Sequence, residues 1–173
     1  MLFLLFGAGA SASCRADDLP QVAVVSFTIA PGEPGAPTET LTVARRGGER
    51  TLTVHRNGPG LKPKEQEETV PLSDREFETV WEVVLRQKLT EFEPEENPKR
   101  VFDYGSRTLK IETAVDSKTA TKVHKAVWKR PIKDSNRVDA LVKILVKLSR
   151  KHSRKVKPEF FPSVPDSDGE SDR

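Results

Sequence analysis

The sequence predicts an α+β domain, an antiparallel sheet of about five strands with two helices packed on one face, in the order βββαββα. Three patterns lead to that class. A β-branched run, Val22 to Ile29, puts Val25, Phe27 and Ile29 on one side by period-two counting. Leu41 and Val43, then Leu52 and Val54, alternate with polar residues on either side of Gly47-Gly48, as the arms of a hairpin do. Two later segments carry their apolar residues at spacings of three and four, which is the period of a helix with one buried stripe.

The first strand is followed by Pro31 to Pro37, whose prolines and glycines cannot join a ladder and form a loop. After the hairpin, Asn57-Gly58-Pro59-Gly60 ends the second arm, and the polar stretch from Lys62 to Thr69 reads as a connecting loop. Ser73 and Glu76 then make a Ser-x-x-Glu capping box at the start of a helix. Its expected core stripe is Phe77, Val80, Trp81, Val84, Leu85 and Leu89. The charged segment from Glu91 to Tyr104 holds Pro94 and Pro98 and reads as a loop, with Phe92, Val101 and Phe102 turned back onto the core.

A second hairpin follows, with Leu109, Ile111 and Val115 on its first arm, a turn at Asp116-Ser117-Lys118, and a return from Thr119 to Trp128. Neither face of the return arm is purely apolar, which suits the edge of a sheet. Pro131 stops it, and Asp134 or Ser135 caps a last helix with Val138, Leu141, Val142, Leu145, Val146 and Leu148 inward.

The 173 residues are enough for one core with extensions at both ends. Leu2 to Ala12 is uncharged and followed by small residues, the pattern of a secretory leader, although no basic residue precedes it. Residues 1–18 are therefore expected to be a signal-peptide-like or lipoprotein-like leader, 19–157 a single α+β domain, and 158–173 a flexible acidic tail. Ser11-Ala12-Ser13-Cys14 is similar to a degraded lipobox, which makes Cys14 the candidate lipid attachment and membrane association its consequence. A lone cysteine forms no internal disulfide, so the core alone must supply stability.

Twenty-nine basic residues nearly balance 26 acidic ones, for a net charge of +3, so no strong overall field draws the chain to a polyanion. The charge is uneven locally. Arg150, Lys151, Arg154, Lys155 and Lys157 surround His152, and Lys143 and Lys147 extend that run back along the last helix. Asp166, Asp168, Glu170 and Asp172 form an acidic tail soon after.

No pattern announces catalysis. His55, His124 and His152 are far apart in sequence, and none lies beside a Ser, Cys or Asp arrangement that suggests a triad. The same separation argues against a zinc site, and the acidic tail lacks the closing glutamate of a calcium loop. Gly47-Gly48 joins two strands rather than a strand and a helix, so it cradles no phosphate. The expectation is a non-enzyme without cofactor or metal: a secreted, periplasmic or envelope-associated domain of bacterial type that engages a protein partner or serves as a structural accessory at the cell envelope. Two alternatives stand beside it. One is a polyanion-binding module for nucleic acid, anionic lipid or polysaccharide using Arg150 to Lys157, with nucleic acid the less favoured ligand for an exported protein. The other is an enzyme whose site gathers Asp103, Tyr104 and His124.

Overall fold

The computed structural model describes residues 19–96, 105–115, 120–156 and Glu159. The strands are β1 (Val22–Ala30), β2 (Thr38–Arg46), β3 (Glu49–Asn57), β4 (Glu65–Pro71), β5 (Ser106–Ala114) and β6 (Lys122–Trp128). Helix α1 (Asp74–Arg86) lies between β4 and β5 in sequence, and α2 (Ser135–His152) follows β6. The six strands form one open antiparallel sheet in the order β4-β3-β2-β1-β5-β6. The α+β class and the antiparallel sheet are as expected, with one strand more than about five.

The extra strand is β4, in the segment read as a loop. Its sequence, Glu-Gln-Glu-Glu-Thr-Val-Pro, carries almost no apolar signal, because it is an edge strand whose charges keep it from pairing with other chains. What holds it is its partner, with Leu52 opposite Val70 and Thr53 opposite Thr69. Turn chemistry, by contrast, was legible. Gly47 sits at φ 60°, in the left-handed region that a two-residue hairpin loop demands.

Register places the apolar residues in rows on one face. Val54, Leu41, Phe27, Leu109 and Ala126 follow one another across five strands, with Leu52, Val43, Val25 and Ile111 in the next row. All of these are buried. Helix α1 packs on β2 and on α2, and α2 packs on β2 and β3, so both helices cover the same face. Every stripe residue expected of α2 is buried: Val138, Leu141, Val142, Leu145, Val146 and Leu148.

Helix α1 departs from expectation in one residue. Leu85 is 47% exposed, whereas Val83 is buried. At roughly 100° per residue, Val83 and Leu85 flank the stripe on opposite sides, and only the Val83 flank is covered. Leu89 does reach the core, but by a different path. Lys88 turns left-handed at φ 51°, and a short 3₁₀ turn, Leu89–Glu91, swings the chain inward. Arg137 of α2 closes the end of α1, donating from Nε and Nη2 to the Gln87 carbonyl at 2.9 and 2.6 Å. Its guanidinium also lies 5.1 Å from the Phe92 ring centre. Phe92 is buried as expected and meets Trp128 edge-on at 6.0 Å, which covers the β6 end of the sheet. Val115, expected on the core side of β5, is exposed just beyond the strand's end. Val101, Phe102 and the turn Asp116-Ser117-Lys118 lie outside the described residues.

Candidate functional site

The basic run begins as the last turn of α2, where Arg150, Lys151 and His152 complement the negative end of the helix dipole. Beyond it the chain is gripped by carboxylates. Glu68, on the helix-covered side of β4, accepts the Ser153 hydroxyl at 2.6 Å and the amides of Lys155 and Val156 at 2.7 and 3.0 Å, with the Arg154 amide at 3.1 Å. These bonds, the Ser153 hydroxyl first and the Val156 amide next, hold its carboxyl down at about 2.

Glu76 serves two helices at once. Its Oε2 accepts the Ser73 amide at 3.0 Å and the Ser73 hydroxyl at 2.8 Å, completing the expected capping box. Its Oε1 takes Lys151 Nζ and His152 Nε2, each at 2.7 Å. The Lys151 ammonium, then the His152 ring, keep its carboxyl far below the usual carboxylate range. The start of α1 is thereby fastened to the end of α2.

A third carboxylate takes part from deeper in the sheet. Glu39 and Arg56 are cross-strand partners on the covered face, and both are buried. Arg56 Nε lies 2.8 Å from Glu39 Oε1 off the N–H axis, an ion pair rather than an aligned hydrogen bond. The other guanidinium nitrogens donate to the two oxygens of Glu159 at 3.2 and 2.8 Å. The Glu159 amide in turn donates to Glu39 at 2.9 Å. The segment after α2 is thus a strap anchored at β4 and again at β2 and β3, with Val156 buried between the anchors.

The five residues of the expected polyanion site separate accordingly. Lys151 is spent on Glu76. Arg154 and Lys155 are fixed by their backbone amides while their side chains stay exposed, and Arg150 is exposed as well. Lys143 and Lys147 are exposed on α2. Lys157, Cys14 and the acidic tail lie outside the described residues, as do Asp103 and Tyr104 of the enzyme alternative.

The histidines sit on separate elements with separate partners. His55 Nε2 meets Glu65 at 2.9 Å on the face of β3 away from the helices, His124 Nε2 meets the Phe92 carbonyl at 3.0 Å, and His152 belongs to Glu76. Among the described residues no group of three His, Cys, Asp or Glu is placed to hold a metal ion. No helix among them is long and apolar enough to cross a membrane. A recess of about 450 Å³ lies beside α1 and the β5 and β6 ends, lined by Trp81, Glu91, Thr113, Ala114 and Lys122 among others. Its lining among the described residues has no histidine or cysteine.

The sheet face away from the helices has its own chemistry. Hydroxyls pair across neighbouring strands at 2.9 Å, Ser26 with Thr42, Thr28 with Thr40 and Thr53 with Thr69. Toward β6 the surface turns apolar at Val123 and Val127, which are 56% and 47% exposed. Sequence reading missed both this hydroxyl field and the buried Glu39–Arg56 pair. The signal was present in the parity: Glu39 shares a face with Leu41 and Val43, and Arg56 with Val54 and Leu52, so both charges had to point inward. No protein-family model matches the chain, and no curated protein matches it.

Proposed function

We propose that this chain is an exported, non-catalytic domain that works at the cell envelope by contact with a protein partner. The observation that carries the reading is a six-stranded sheet covered by helices on one face, whose other face carries paired hydroxyls on β1 to β4, the Lys110–Glu112 ion pair on β5 and Val123 and Val127 on β6. A sheet face of that composition suits a protein surface that offers hydrogen-bonding side chains opposite Ser26, Thr28, Thr40 and Thr42. The same partner would carry an apolar patch opposite Val123 and Val127. Each histidine has its own local partner and its own element, which supports a binding role over acid–base chemistry. The leader-like start at Leu2 to Ala12 supports export, with Cys14 as the residue for a lipid.

The two parts of this reading are tested separately. Mass spectrometry of the amino terminus in protein from its native host should find the leader removed or Cys14 acylated, and an intact Met1 would defeat export. For the contact, a photo-crosslinking residue at Thr53 or Val127 should capture one discrete protein that a probe at Glu78, on α1, does not. Equal capture from both positions, or none from the sheet face, would defeat the partner reading.

A further inference from the structure

We infer that the sheet face away from the helices is a self-docking surface, on which a second copy of this chain packs face to face about a two-fold axis parallel to the strands. The register fixes what that face offers. Three rows of its side chains cross all six strands, each running from β4 to β6. The middle row is Thr69, Thr53, Thr42, Ser26, Lys110 and Lys125. On one side of it a row runs from Glu67 through His55, Thr40, Thr28 and Thr108 to Val127. On the other side a row runs from Pro71 through Thr51, Ala44, Val24 and Glu112 to Val123. Charge is graded along these rows. The β4 end carries Glu67, with Glu65 beyond it, and the β6 end carries Lys125. Glu67 and Lys125 are exposed, and among the described residues neither enters an ion pair.

An axis along the strands lays β4 of one copy over β6 of the other, so each row meets itself reversed. Ser26 then faces Thr42 of the second copy, Thr28 faces Thr40, and Pro71 faces Val123. Thr53 faces Lys110 and Thr51 faces Glu112, so the Lys110–Glu112 ion pair meets one hydroxyl able to accept and one able to donate. Glu67 faces Val127, with Lys125 about 7 Å on in the next row, and the acidic end of each copy lies over the basic end of the other at both corners. Aligned sheets cross at roughly 30°, which keeps the central pairs and moves the corners by about one row, within reach of a glutamate and a lysine. Arg46 and Glu49, register partners at the hairpin end, stay at the rim. The other face-to-face arrangement has its axis across the strands. It lays β4 on β4 and β6 on β6, gathering like charges at both ends. Size agrees as well. With strands about 4.8 Å and rows about 6.8 Å apart, the face spans roughly 750 Å², close to the ~800 Å² that each partner gives to a stable complex.

The inference rests on the sheet face being the docking surface proposed above, and it names the occupant. The test is sedimentation of the chain as its host produces it, from about 1 to about 100 µM, which should reveal a dimer. K125E and E67K each set like charges against the opposing corner and should weaken dimerisation at least about tenfold, and K125E/E67K should restore most of it. T42R, at the centre of the face, should leave a monomer. Should T42R not fold, T69R takes its place at an exposed position and should also weaken the dimer. K125E and E67K change exposed side chains and should keep the native thermal midpoint. A photo-crosslinking residue at Thr53 should yield a covalent species of twice the chain's mass. A monomer throughout, or a dimer of unchanged affinity in K125E, E67K and the arginine variant, overturns the inference. The two readings fail differently. A monomeric chain whose Thr53 probe still captures one foreign protein removes only the second copy, whereas neither dimer nor capture removes both.

Discussion

Arg56 and Glu39 show what one pair of inward charges costs and secures. Each is buried on a face made mainly of apolar side chains, and each depends on the other and on Glu159 to offset its lost hydration. Arg56→Leu leaves Glu39 buried with its principal cation gone, and should cost about 3–5 kcal/mol in denaturant unfolding. Glu39→Leu together with Arg56→Leu should cost clearly less than the two single changes added, since neither charge is then stranded. Additivity of the two losses would show that the pair is not coupled. Strand parity alone was enough to point these residues inward. Their third partner, Glu159, was not legible, because its contact joins residues more than a hundred positions apart and no periodicity encodes it.

Elements with strong periodicity were read well, and those held by neighbours were not. Helix α2 buries every residue expected of it, and α1 all but Leu85. The difference is measurable. Leu141→Ala should lose about 2–5 kcal/mol, whereas Leu85→Ala should stay within about 0.5 kcal/mol, as chemical denaturation would show. Strand β4 escaped notice because pairing with β3, and not its own composition, makes it a strand. The start of β5 is exacting for another reason. Gly105 adopts φ 65°, and a Cβ there would stand 1.9 Å from the Ala30 carbonyl oxygen and 2.5 Å from the Gly32 nitrogen. Gly105→Ala must displace backbone at the end of β1, so a large drop in thermal midpoint is expected, and a drop of a degree or less would contradict this geometry.

At the scale of the whole molecule, Glu68 and Glu76 tie the end of α2 and the residues just after it, as far as Val156, to β4 and to the start of α1. Both carboxyls are held below their ordinary range, Glu68 at about 2. A depressed native value means stability that is complete above about pH 5 and is lost as pH falls through the native value, toward about pH 2. The thermal midpoint should therefore decline over that window, and exchange of the Arg154, Lys155 and Val156 amides should rise with it. Glu68→Gln should lower the midpoint at neutral pH and flatten its acid dependence, and an acid profile identical to that of the native chain would count against the strap. The sheet's wiring has a further consequence, for the order of events in folding. β1 lies between β2 and β5, and one of those neighbours is made almost at once while the other waits for most of the chain. Until β5 arrives, one edge of the most apolar strand is unsaturated, which predicts slow, non-local closure and a window of self-association before the sheet is sealed.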